Sequence, residues 1–341
     1  MPPDRDEAPA SDPGGVLVAW LRDRFGPDVE LEAPAETSGD GFDSEIHFLS
    51  LTGSDVPEGW RGPLVLRIKP DVDRFDIAVR EMAIQNWCVA TGLPVPRVLE
   101  VLEPGAPFDR PAQVMERAPG VMLLDTLLSS PWRFRSLMGQ LAALHAQVHR
   151  VDPDGFPPGD DLLDRRLALT RATAEQLDHE PLRRALADVE VISPRLRGGP
   201  QTVCHGDFHP LNVLVGPAGL QLIDWTDAGV GDRHGDVART LLLFSVAWLA
   251  AGSRAERVAL RAVGPMLGRA YRRAYRRQLD LDEERVALWK PVHLLHGWSQ
   301  AVGVNEGFFA STDQTGSDER VPPSLASTLE SRFRAALADV T

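Results

Sequence analysis

The densest chemistry in the chain lies between Val203 and Trp225, where His205-Gly206-Asp207 is followed by Asn212 and then, beyond a short turn, by Asp224. Val213 to Val215 and Leu220 to Ile223 are β-type runs, and Gly216-Pro217-Ala218-Gly219 between them reads as a hairpin turn. Pairing of the two arms sets Asn212 and Asp224 side by side at the open end, with Asp207 on the loop just before it. One amide oxygen and two carboxylates are the hard donors that Mg²⁺ needs while it also holds phosphate oxygens.

An H-x-D triplet, an Asn after four intervening residues, and a second Asp after a hairpin match the catalytic and metal loops of kinases. With Gly at 206 and Ile-Asp-Trp at 223–225, the stretch closely resembles the aminoglycoside phosphotransferase family and its choline-kinase-like relatives. That resemblance implies ATP and Mg²⁺ as cofactors. It makes Asp207 the catalytic base that orients an acceptor hydroxyl, Asn212 and Asp224 the metal ligands, and His205 a structural brace. Gly231-Asp232 and Gly235-Asp236-Val237-Ala238 are similar to the segment that opens the next helix in the family, which implies that Asp236 stiffens the catalytic loop.

The likeness continues towards the N-terminus. Ser38-Gly39-Asp40-Gly41-Phe42-Asp43-Ser44 resembles the family's phosphate-covering loop, so Gly39, Gly41 and Ser44 are implied nucleotide contacts. Leu64 to Lys69 resembles the strand that supplies the phosphate-binding cation. Arg67 aligns with the family's lysine and Lys69 follows two residues later, which on a strand places both side chains on one face. Glu81 resembles the cation's partner on a helix. Val114 to Gly120 is similar to the hinge whose backbone, at Glu116 and Ala118, receives the adenine edge. Leu141 to His145 resembles the helix beneath the catalytic loop.

These residues need elements to hold them. Residues 1–13, rich in Pro, Asp and Ala, read as a disordered leader, and Val16 to Phe25 as a short amphipathic helix. Glu45 to Leu51 and Leu64 to Ile68 read as strands, Arg74 to Thr91 as a helix stopped by Gly92, and Val98 to Leu102 and Gln113 to Glu116 as further strands. From Leu123 the texture is helical, notably over Ser136 to Val148 and as one stretch from Leu162 to Asp188. The expectation is an α+β, bilobal protein-kinase-like fold: a small antiparallel β N-lobe over 14–115, a larger helical C-lobe over 116–341, a hinge near 114–120, and ATP in the cleft.

With 341 residues the chain exceeds what one core usually serves. Its formal net charge of -13 argues against binding nucleic acid or anionic membrane, and reads either as solubility alone or as an attraction for a cationic acceptor. No segment in 1–30 has signal-peptide texture, and Leu241 to Ala251, an apolar run read as a buried helix, is too short to span a bilayer. A soluble, cytoplasmic protein is expected. Cys88 and Cys204 read as reduced, buried thiols.

Some residues admit two readings. His145 and His149 lie one helical turn apart and read as structural or as metal ligands. His205, Asp207 and His209 on a strand would form the metal face of a hydrolase, but that leaves Asn212 and Asp224 unexplained. Arg269, Arg272, Arg273, Arg276 and Arg277 read as a solvated helix face, and Phe208 and Trp225 as packing. Lys290 to Phe309, with Trp289, His293, His296 and Trp298, is either core or part of an acceptor pocket. For function, O-phosphorylation of an antibiotic or small metabolite leads. A protein acceptor and a silent nucleotide-binding module are the rivals, the first disfavoured because no activation-loop pattern follows Asp224.

Overall fold

Burial alternates residue by residue over 47–51 and 64–68, the period of strands that belong to a sheet with one packed face. The computed structural model of the chain describes residues 12–38, 44–246, 254–307 and 323–341. Helix α1 (Pro13–Phe25) is capped by Asp12, whose side chain accepts the Gly15 N–H at 3.0 Å, and has Pro13 in its first turn. The leader expected over 1–13 falls, through residue 11, outside the described residues.

Strands β1 (Glu30–Leu31), β2 (Glu36–Ser38), β3 (Glu45–Thr52), β4 (Gly62–Ile68), β5 (Val98–Leu102) and β6 (Ala112–Glu116) form one antiparallel sheet. Its order is β1-β3-β4-β6-β5, with β2 added on β3. Leu49, Leu51, Leu64, Leu66 and Val114 point into a core that also takes Leu17 and Leu21 from α1. Helix α2 (Phe75–Ala90) follows β4.

Beyond residue 118 the chain is mainly helical, in keeping with its change of sequence texture. The elements are β7 (Val121–Met122), α3 (Leu123–Ser129), α4 (Phe134–Arg150), α5 (Leu162–Gln176), α6 (Glu180–Arg197), β8 (Gln201–Cys204), β9 (Val213–Gly216), β10 (Gly219–Leu222), β11 (Gly229–Asp232), α7 (Arg233–Val246), α8 (Arg254–Tyr275), α9 (Glu283–Asn305) and α10 (Pro323–Ala338). The single helical stretch expected over 162–188 is two helices. Asp178 takes a left-handed φ of 48° that stops α5, and the His179 side chain accepts the Leu182 N–H at 3.2 Å while Pro181 enters the first turn of α6. Of the apolar run 241–251, α7 carries the part through Val246, and the rest lies outside the described residues.

Backbone contacts divide the chain into two units, Met1–Asn86 with Pro96–Ala118, and Trp87–Val95 with Pro119–Thr341. Both cysteines are buried free thiols, whose pKa burial pushes up. Among the described residues no helix is long and apolar enough to cross a membrane.

Candidate active site

The hairpin sets the geometry of the site. Strands β9 and β10 pair in the register Val213↔Leu222, and one step further the Ile223 N–H donates to the Asn212 carbonyl at 3.0 Å. Asn212 and Asp224 therefore leave adjacent strands at the same end. Asp224 has a left-handed φ of 62°, a conformation that Asp tolerates better than most residues and that turns the chain sharply out of the strand.

The loop from His205 to Asn212 connects β8 to β9 and is fixed from beneath by α7. Asp236, in the first turn of α7, accepts the backbone N–H of His205 at 2.6 Å and of Gly206 at 2.9 Å. It also receives Nε2–H from His145 at 3.0 Å and from His149 at 3.3 Å. The opposite nitrogens, Nδ1, accept the hydroxyls of Tyr271 and Tyr275, which sets both tautomers. Burial, with a contribution from His149, pushes His145 down to about 3, and His149 shifts the same way. Burial works to raise the Asp236 carboxyl, but its interactions with the two histidines hold it well below the usual range. Four donors aimed at an ionised Asp236 thus offset the cost of burying it.

The atoms of His145, His149 and Asp236 gather within 4.8 Å, the spacing of a metal site. Each imidazole, however, spends its Nε2–H on Asp236 and its Nδ1 lone pair on a tyrosine. Neither nitrogen is left to ligate, so the cluster is a hydrogen-bonded knot under the loop. The hydrolase-type metal face fares no better. His205 lies on a loop, donates Nε2–H to the Ile223 carbonyl at 3.1 Å and accepts the Asp207 N–H on Nδ1 at 3.3 Å.

Gly206 is required twice over. Its φ is +82°, and a Cβ there would come within 2.3 Å of the Asp227 carbonyl oxygen. The peptide is also held by Arg166, a fully buried side chain on α5 that donates Nη2–H to the Gly206 carbonyl and Nη1–H to Asp227 Oδ2 at 2.8 Å.

Asp207 is half-buried and held at both carboxylate oxygens. Arg239 donates from Nε at 3.2 Å and from Nη2 at 2.9 Å to Oδ1, and His209 donates Nε2–H to Oδ2 at 3.0 Å. Burial works to raise this carboxyl, but the Arg239 guanidinium and His209 hold it well below the usual carboxylate range. Asn212 donates Nδ2–H to the Asp207 carbonyl at 3.0 Å, which turns its amide oxygen away from the loop.

These bonds leave specific oxygens open. Among the described residues, Asn212 Oδ1 and Asp224 Oδ2 accept no hydrogen bond, while Asp224 Oδ1 takes only a long contact of 3.4 Å from the Thr226 N–H. An amide oxygen and a carboxylate oxygen on neighbouring strands, both uncommitted, suit a hard divalent cation such as Mg²⁺. Packing residues close the floor: Phe208 stacks on His145 with centroids 3.9 Å apart, and the Trp225 ring lies 4.9 Å from that of His205.

Within the N-terminal unit the implied phosphate-binding residues form a triad. Glu81, on α2, receives Nη1–H of Arg67 and Nζ–H of Lys69, each at 2.8 Å. Burial works to raise the Glu81 carboxyl, but the two cations carry it down to about 2. Arg67 also donates Nε–H to Ser44 Oγ at 3.0 Å, and its side chain keeps 13% of its surface exposed against 3% for Lys69. Gly39 and Gly41 lie outside the described residues. The Glu116 N–H is committed to the Arg97 carbonyl at 2.9 Å, whereas the Ala118 backbone makes no hydrogen bond among the described residues.

A sequence profile of the phosphotransferase enzyme family matches residues 56–289. The chain belongs to that family. This phosphotransferase-family chain is 29% identical over 208 residues to an aminoglycoside 3'-phosphotransferase of Streptomyces fradiae, covering 58% of the chain and 75% of the relative. It is 27% identical over 197 residues to the mouse acyl-CoA dehydrogenase family member 10, covering 53% of the chain but only 18% of that longer protein. In fold it resembles a thermostable aminoglycoside phosphotransferase solved with ADP and hygromycin B, at a TM-score of 0.58 and 17% identity over 94% of this chain and 98% of that one. The fold class is therefore α+β and kinase-like.

Three side chains of this family member escape a reading of the sequence. Arg239 lies one helical turn after Asp236, so the two share a face of α7; that spacing was the available signal. His209 sits within the motif but shows its purpose only through its bond to Asp207. Arg166 comes from 40 residues before Gly206 and carries no local mark. On α9, His293, His296, Trp289 and Trp298 are all buried, as core side chains are, while Phe309 lies outside the described residues.

Proposed function

We propose that the chain transfers the γ-phosphate of ATP to a hydroxyl group of a small molecule, an antibiotic of aminoglycoside-like or macrolide-like type or a small metabolite. The observation that carries this reading is the pair of uncommitted oxygens on Asn212 and Asp224 beside a clamped Asp207. Phosphoryl transfer is catalysed by positioning and charge neutralisation, and a rigid carboxylate beside a cation site supplies both.

In this reading Asn212 Oδ1 and Asp224 hold Mg²⁺, which when bound neutralises phosphate charge. Asp207 accepts the acceptor's O–H and aims its oxygen at the phosphoryl group. Arg67, the more exposed cation of the Glu81 triad, reaches the phosphates, with Lys69 completing the charge balance. Ser44, Gly39 and Gly41 belong to the covering loop, and the open backbone of Ala118, beside Glu116, receives the adenine edge. His205 and Asp236 hold the loop.

Support for a small acceptor comes from relatives whose names carry aminoglycoside phosphotransfer and from a structural relative solved with ADP and hygromycin B. It also comes from the segment after Asp224, which passes through β11 directly into α7 at Arg233 and leaves no room for a long regulatory loop. The net charge of -13 favours cationic acceptors over nucleic acid or anionic membranes, and the absence of signal-peptide texture in residues 1–30 supports a cytoplasmic reading.

A coupled ADP-release screen against antibiotics, amino alcohols and sugars, with Asp207→Asn as blank, tests the proposal. We expect ADP release with at least one hydroxylated compound, and a mono-phosphorylated product by mass spectrometry. Equal rates in the blank, or phosphate recovered mainly on protein, would overturn it.

A further inference from the structure

The chain has no Lys or Arg between Asp207 and Asn212, where only Phe208, His209, Pro210 and Leu211 intervene. The cation beside the Asp207 carboxylate comes instead from α7. Arg239 Nε and Nη2 both donate to Oδ1, at 3.2 and 2.9 Å. His209 Nδ1 accepts the Leu211 N–H at 3.2 Å, which places that ring's proton on Nε2 and directs it to Oδ2 at 3.0 Å.

We propose that Arg239 is a positioning residue for phosphoryl transfer: it pins one oxygen of Asp207 so that the remaining lone pair of the other oxygen is presented to the acceptor hydroxyl. The inference rests on the phosphotransfer reading above. Its logic is a count of lone pairs. Oδ1 is saturated by the forked guanidinium, and on Oδ2 only His209 makes a short bond; Asn212, whose Nδ2–H serves the Asp207 carbonyl at 3.0 Å, stands 3.5 Å from Oδ2, so the second lone pair of Oδ2 stays accessible to the acceptor's O–H.

Helix α7 thereby holds one loop by its backbone and by a side chain, and Thr240 adds a bond to the Phe208 carbonyl at 2.8 Å. Asp236 grips the backbone of His205 and Gly206, and Arg239, three residues on, grips the side chain of Asp207. The first bond holds the loop's path and the second sets a rotamer. Without Arg239 the carboxylate keeps His209 and the long Asn212 contact, both on Oδ2 and both from its own loop, and is free to swing about χ1. The Arg239 side chain retains 12% of its surface exposed, so a small cation can enter the space that its truncation would open.

The test uses the full-length chain and an acceptor from the ADP-release screen, with Arg239→Ala, Arg239→Lys and the double variant Arg239→Ala/Asp207→Asn. We expect Arg239→Ala to lower kcat by about 10²-fold while KM for ATP stays within about twofold, because misplacing a reacting group costs turnover and leaves ground-state binding intact. Added guanidinium ion should restore part of the lost kcat in Arg239→Ala and none in the double variant. Arg239→Lys should recover little, since an ammonium cannot make the forked contact. A kcat within about threefold of wild type, or a loss that tracks a fall in Tm with no rescue by guanidinium, would overturn the inference alone. An inactive wild-type chain across the whole acceptor panel would overturn the phosphotransfer reading and this one with it.

Discussion

Asp236 Oδ2 accepts the backbone N–H of His205 at 2.6 Å, and this one bond couples the first turn of α7 to the loop that carries Asp207. A carboxylate buried this completely is tolerable only because every donor around it is aimed at it. Asp236→Leu strips four donors of their acceptor. We expect it to destabilise the chain by about 3 kcal/mol or more, read as a lowered urea midpoint, with His145 and His149 left buried and unsatisfied. Asp236→Asn, which keeps the shape but loses the charge and two acceptor directions, should fall between it and wild type.

Gly206 tolerates no side chain. The Cβ of Gly206→Ala would meet a backbone oxygen at 2.3 Å in a left-handed conformation, so the loop must shift rather than a neighbour give way. The expected result is a loss of about 1–3 kcal/mol in stability together with a fall of at least about 10²-fold in kcat/KM. Thermal unfolding and steady-state kinetics on the same preparation check both parts. A variant with wild-type kinetics would show that the loop position is not needed.

Asp207→Asn and Asp224→Asn are expected to abolish transfer while leaving the far-UV circular dichroism spectrum of wild type. They should differ in their response to metal. Raising Mg²⁺ concentration should recover some activity in Asp224→Asn, where a ligand is weakened, and none in Asp207→Asn, where the acceptor's partner is lost.

Glu81 predicts a pH dependence of the N-terminal unit. Its folded pKa, about 2, lies below the ordinary 4.5, so the folded state favours the carboxylate. The stabilisation is fully present above pH 4.5 and is lost as the pH falls towards 2, amounting to about 3 kcal/mol at most by linkage. Glu81→Gln should flatten the acid limb of a stability-against-pH curve in this window and weaken nucleotide binding. An unchanged acid limb would mean that Arg67 and Lys69 do not hold Glu81 as described.

The sequence alone carried the hairpin, the order of Asp207, Asn212 and Asp224, and the placement of Arg67 on a strand and Glu81 on a helix, with Lys69 falling just past the strand's end. These relationships are local: period-two spacing and a Gly-rich turn decide them within some twenty residues, as in the Val213↔Leu222 register. The α5–α6 break was less visible, because the apolar pattern runs through it and only the left-handed Asp178 and the His179 cap divide it. What tertiary structure alone decided is which distant groups balance the buried charges. His145, from 91 residues before Asp236, donates to that carboxylate and takes a hydroxyl from Tyr271, 126 residues beyond itself, while Arg239 crosses 32 residues to Asp207. A buried carboxylate demands donors but does not say from which element they come; that choice is made when helices pack, and packing is not written in any local pattern.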